Sequence, residues 1–133
     1  MERIRDRERT MLVAAGAIAL GVHAGLAPGH LEEWAPLGAC FVAAAVALAG
    51  GVAVLAVGRD YCGPAAAALA LLFATLVLGY IATRVAALPP LDPEREPLDS
   101  LGVVTTAVEA AGLVVAVRLT TRKTSSPISG GKQ

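Results

Sequence analysis

Four apolar runs dominate the chain, at about residues 10 to 27, 35 to 57, 64 to 88 and 100 to 119. Each approaches the roughly 20 residues that a helix needs to cross a bilayer core. Three short polar stretches separate them: "APGHLEEW", "GRDYCGP" and the proline-rich, acidic "LPPLDPEREPLDS". Gly and Pro at these points interrupt helices, so the pattern predicts four spans joined by short connections. Such spans alternate in direction, which makes the expected fold all-α, an up-down four-helix transmembrane bundle over residues 10–119. Residues 1–9 then form a basic N-terminus. Residues 120–133, ending in the small and polar "TSSPISGGKQ", form a disordered tail.

Composition agrees with the pattern. A 56% hydrophobic fraction beside 17% charged residues is too apolar for a soluble domain of 133 residues. The apolar positions are mainly Ala, Val and Leu, with aromatics at 4%, which suits helices that pack through small side chains. Gly21 and Gly25 form a GxxxG in the first run, and Ala43, Ala47 and Gly51 form a small-residue stripe in the second. Both predict close helix contact, either within the bundle or with a second copy or another membrane protein.

Net charge is zero, so the distribution of charge matters more than its sum. Arg3, Arg5, Arg7, Arg9, Arg59, Arg118, Arg122, Lys123 and Lys132 fall on one side of the expected bundle, and Arg84 and Arg95 on the other. The excess of basic residues on the cytoplasmic side of membrane proteins then puts both termini in the cytoplasm. The competing reading takes residues 1–27 as a cleaved signal peptide, which leaves three spans. Against it stand Glu2, Asp6 and Glu8 in the basic start, the length of the apolar run, and Pro28 directly after the cut.

The fourth run carries Glu109 near its middle, where an ionised carboxylate facing lipid is costly. At 100° per residue Gly102, Thr105, Thr106, Glu109, Gly112 and Ala116 share one face, which should point into the bundle. Thr75, Gly79 and Thr83 repeat at four-residue spacing in the third run, beside Tyr80 and Arg84. Arg84 has Asp99, Glu96 and Glu33 as candidate partners near the surface, and Glu109 only by reaching inward. His23 should lie roughly 7 to 8 Å inside the end of the first helix. His30 and Glu33 share a face if the first connection makes a helical turn, and Trp34 suits the interface.

This arrangement allows two chemistries. Imidazole and carboxylate ligands from His23, His30 and Glu33 suit Zn or Cu, although their spacing matches no dedicated motif. A proton-handling role rests on His23 and Glu109, and Arg84, Glu96, Asp99 and Glu109 make up a polar network. Both histidines lie near one end of one helix, which disfavours their joint ligation of a single haem. Cys40 and Cys62 flank the second run, roughly 33 Å apart along a helix, so they cannot form an internal disulfide. No nucleophile elbow, phosphate-binding glycine loop or paired His-Glu-x-x-His occurs, and no dense basic surface suggests nucleic acid. The reading therefore leans away from an enzyme, toward an accessory or interaction subunit. Its alternative is an outward-facing site for a metal ion or protons.

At "GHLEEWAPLGACF", "ATRVAALP" and "EPLDSLGVVTTAVE" the chain resembles a group of uncharacterised four-pass integral membrane proteins of high-GC actinobacteria. In that group His-Leu-x-x-Trp follows the first helix, Arg-x-x-Gly-x-Pro closes the third, and an acidic connection leads to a Glu in the fourth. The matching residues are His30, Leu31 and Trp34, then Arg84 and Pro89, then Glu96, Asp99 and Glu109. Ala87 stands where the group has glycine. The resemblance implies the four-span fold and the bacterial plasma membrane, and supplies no activity.

Overall fold

The computed structural model describes residues 2–58, 62–89 and 94–121. The expectations for Arg59, Arg122, Lys123, Lys132 and the tail beyond residue 121 lie outside the described residues. Four helices account for most of the rest: α1 Glu2–Glu33, α2 Ala35–Val57, α3 Cys62–Val85 and α4 Ser100–Thr121. All four are long and apolar enough to cross a membrane, and they pack as a bundle. Sequence neighbours run antiparallel, with α1 packed between α2 and α4.

The bundle shows the outside-in character of a membrane protein. Its core is Leu12, Leu48, Leu55, Leu69 and Phe73 with small alanines such as Ala19, Ala66 and Ala116. Large aliphatic side chains also cover the exterior: Val46 is 68% exposed, Leu71 72%, Leu78 65% and Val104 60%. Water would expel so continuous an apolar surface, whereas lipid tails accept it.

Five boundaries differ from expectation. The first polar stretch does not break the chain: α1 continues through Pro28 to Glu33, and Trp34 alone separates it from α2. Proline forfeits one helical hydrogen bond and crowds the preceding turn. Contacts with α2 hold the last turn in place all the same. Leu31 lies against Gly38, where any side chain would strike the Leu31 backbone, and the His30 ring packs on Phe41. At the other end the basic N-terminus is helical from Glu2. Arg and Glu are good helix formers, and extending an existing helix avoids the cost of nucleation. Arg9 adds an anchor: its Nε donates to the Leu55 carbonyl at 2.5 Å and its Nη2 to the Ala56 carbonyl at 2.9 Å, satisfying acceptors that the end of α2 leaves open. Finally, α4 includes Thr120 and Thr121, which were expected in the disordered tail, and α3 starts at Cys62 and stops at Val85 rather than 88.

The small-residue stripes have a different fate from the small residues of the core. Gly112 sits where an added Cβ would be 2.7 Å from the Phe73 ring and 3.2 Å from Ala15, so α1, α3 and α4 converge there. Gly51 meets Leu69 in the same manner. Gly21 and Gly25 have nothing within 4 Å of such a Cβ, and Ala43 and Ala47 are exposed. Those four residues are not used for packing inside the chain. Cys40 is exposed, Cys62 is buried, and both are free thiols.

Candidate functional site

Glu109 is the most deeply buried ionisable residue among those described, with 2% of its surface exposed. The helical face expected in α4 is the one that turns inward: Thr105, Glu109, Gly112 and Ala116 are all buried. Glu109 stands nine residues from the start of α4, about 14 Å along the axis at 1.5 Å per residue. Because α1 runs on to Glu33, His23 is ten residues from its end, about 15 Å deep rather than 7 to 8 Å. The two therefore meet at one level, with His23 Nδ1 3.8 Å from Glu109 Oε1.

That pair is close without being hydrogen-bonded. His23 Nδ1 lies 2.9 Å from the Ala19 carbonyl one turn earlier. A carbonyl only accepts, so the Nδ1 proton is committed to the backbone, and the neutral ring then presents Nε2 as an acceptor. Glu109 Oε1 is buried and has no hydrogen-bond partner. Thr105, one turn away, donates its hydroxyl proton to the Leu101 carbonyl at 2.8 Å, which leaves its oxygen free to accept.

A second polar group forms where α3 gives way to α4. Arg84 donates from Nη2 to Asp99 Oδ2 at 3.0 Å and from Nη1 to the Thr83 hydroxyl at 3.0 Å, and its guanidinium carbon lies 4.2 Å from the centre of the Tyr80 ring. Of the candidate partners, Asp99 is the one that Arg84 engages. Asp99 also caps α4: its Oδ1 accepts from the Gly102 N–H at 2.6 Å, and its carbonyl accepts from Val103 at 3.1 Å. Gly102 has to be glycine for this contact, since a Cβ would come 2.5 Å from the Tyr80 ring and 2.7 Å from Asp99 Oδ2. The Gly102 N–H, and then the Arg84 guanidinium, hold the Asp99 carboxyl below the usual carboxylate range. Glu96 contributes through its backbone, its N–H donating to the Thr83 carbonyl at 3.1 Å.

Between these two groups lies a cavity of about 520 Å³ that all four helices and the 94–99 segment enclose. Glu109, His23 and Thr105 line it at one end and Arg84, Tyr80 and Asp99 at the other, with apolar side chains such as Leu26 and Leu76 between. Its size falls within the usual range for small-molecule sites, about 300 to 1,000 Å³.

The expected metal ligands do not converge. His23 faces Glu109, while His30 faces Glu33 at 3.8 Å, and Glu33 is largely exposed. Among the described residues no three His, Cys, Asp or Glu side chains group as metal ligands. What does join the histidines is Phe41 of α2, whose ring lies 5.1 Å from His23 and 4.3 Å from His30. Phe41 carried no sequence signal beyond being one of two phenylalanines in the chain, and its position nearly two turns inside α2 opposite His23 and His30 depends on the single-residue connection. No protein-family model, curated protein or solved structure matches the chain.

Proposed function

We propose that this protein is a multi-pass protein of the bacterial plasma membrane, with both termini cytoplasmic, that binds a proton or a small cationic ligand from the outer side. Its site is the cavity floored by Glu109 and His23. The observation that carries the reading is the burial of a carboxylate against an imidazole at the end of that cavity. Ionisable groups at this depth are expensive, and they persist where they serve a ligand or proton path. The orientation rests on the distribution of Lys and Arg, nine residues on the side of the termini against Arg84 and Arg95 on the other. In that orientation Arg84 and Asp99 stand at the outer mouth, and Thr105 and Thr106 line the way to Glu109.

The test is thiol accessibility. In a Cys40→Ala/Cys62→Ala background, Thr106→Cys should react in intact cells with a membrane-impermeant maleimide supplied from outside. Labelling only after the cytoplasmic side is exposed contradicts the outward-facing reading, and no labelling from either side contradicts an open cavity.

The exposed Gly21, Gly25, Ala43 and Ala47 favour a second reading, an accessory subunit that packs against a partner or a second copy through these faces. In that role His23→Ala and Glu109→Gln would act only through stability or assembly. Loss of binding in correctly assembled protein separates the two readings.

A further inference from the structure

Buried polar atoms without a hydrogen-bond partner are rare in folded proteins, because each forfeits its hydration without replacement. Three of the four that occur among the described residues belong to side chains lining the one cavity: Glu109 Oε1, Tyr80 Oη and Arg84 Nε. They are of complementary kinds. At the floor, Glu109 Oε1 and the Thr105 oxygen are acceptors, and so is His23 Nε2 when the ring is neutral, since Nδ1 faces the Ala19 carbonyl. At the mouth, Tyr80 Oη and Arg84 Nε are donors, because the other Arg84 nitrogens are already engaged by Thr83 and Asp99. Tyr80 touches α4 at Gly102, seven residues from Glu109, which separates the two ends by on the order of 10 Å.

The geometry points to an elongated amphiphilic amine as the ligand: an ammonium group at Glu109, an apolar body along Leu26 and Leu76, and a hydrogen-bond acceptor at Tyr80 and Arg84. This inference rests on the cavity being the binding site proposed above. The carboxylate supplies the countercharge that an ammonium needs at this depth, and the Thr105 oxygen one turn away is a further acceptor on the floor. An anion would meet Glu109 and the acceptors around it. A plain hydrocarbon would leave all three unpartnered atoms as they are.

The test uses 7-methoxyheptylamine, whose nitrogen and ether oxygen are separated by about eight bonds, roughly the interval between the two ends given above. Its comparison probes are nonylamine, which lacks the acceptor, and 7-methoxyheptan-1-ol, which lacks the charge. Binding is measured calorimetrically in lipid nanodiscs, with empty nanodiscs as the partition control. Wild-type protein should bind 7-methoxyheptylamine most tightly. Glu109→Gln should weaken both amines tenfold or more and leave the alcohol unchanged. Tyr80→Phe should weaken the two methoxy compounds, by about threefold to tenfold, and leave nonylamine unchanged. Gly79→Leu, which places a side chain in open space at the cavity wall away from Glu109, should weaken all three.

Equal binding of amine and alcohol, or an amine affinity that Glu109→Gln leaves intact, overturns the ammonium assignment. If that binding is still lost in Gly79→Leu, the cavity remains the site, as an apolar space of the kind a lipid chain fills. Indifference to Tyr80→Phe overturns the acceptor end. Absence of saturable binding by any probe overturns both the ligand and the site. Thermal unfolding of each variant identifies any that fails to fold, and the conservative pair Glu109→Gln and Glu109→Asp then carries the comparison.

Discussion

Replacing Asp99 separates two roles that one side chain performs. Its Oδ1 caps α4 through the Gly102 N–H, and its Oδ2 holds Arg84. Loss of an N-cap costs about 0.5 to 2 kcal/mol. The ion pair contributes less. The Asp99 side chain is 48% exposed, and pairs of that kind are worth about 0.2 to 1 kcal/mol. Asp99→Ala should therefore destabilise the protein by about 1 to 3 kcal/mol. Asp99→Asn keeps a good capping side chain and gives up only the charge, so it should cost about 0.2 to 1 kcal/mol. Reversible unfolding in mixed micelles measures both. The folded Asp99 carboxyl titrates below its unfolded range, so its contribution is fully present above about pH 4 and is lost as pH falls through the folded value. The stability difference between wild type and Asp99→Asn should close over that acidic interval. Equal losses in the Ala and Asn variants would refute the cap, and a difference that persists unchanged into strong acid would refute the charge.

Two further substitutions probe the packing that holds the site. Gly112→Ala drives a methyl group into the Phe73 ring and against Ala15 below Glu109, and should cost about 1 to 3 kcal/mol in the same unfolding assay, whereas Gly21→Ala, which meets nothing within the chain, should be nearly neutral. Arg9→Ala removes the donors that close the end of α2, so hydrogen exchange at the last turn of α2 should accelerate severalfold while the middle of α2 stays protected.

Much of this architecture was legible in the sequence, because lipid imposes a length and a polarity on each span. The inward face of α4 followed from the spacing of Thr105, Glu109 and Gly112 alone, since a carboxylate at mid-span has one tolerable direction. The helix ends were less legible. Pro28 reads as a stop when only local hydrogen bonding is considered, and the contacts of Leu31 with Gly38 and of His30 with Phe41 that carry α1 past it come from another helix. The same extension moved His23 from the rim to the level of Glu109, and so converted an expected His23, His30 and Glu33 grouping into two separate pairs. The choice of Asp99 for Arg84 also needed three dimensions: Glu96 and Asp99 are equivalent acids in sequence, and only the cap on α4 brings Asp99 to the guanidinium. Spacing alone did not say which contact the small residues serve: Gly51 packs on Leu69, whereas Gly21 and Gly25 lie on the face of α1 turned away from its neighbours.

His23 meets Glu109 inside the bundle, and a dipolar distance measurement can detect that pair in the membrane. Protein labelled with 15N in histidine and 13C in glutamate, carrying His30→Gln so that one imidazole remains, can be examined by solid-state NMR in lipid bilayers. The account predicts a dipolar contact between the His23 ring nitrogen and the Glu109 carboxyl carbon, matching the 3.8 Å separation of Nδ1 and Oε1, and its loss in Glu109→Gln prepared without glutamine label. A His23 ring with no carboxyl carbon within reach, or one whose contact survives that substitution, would contradict it.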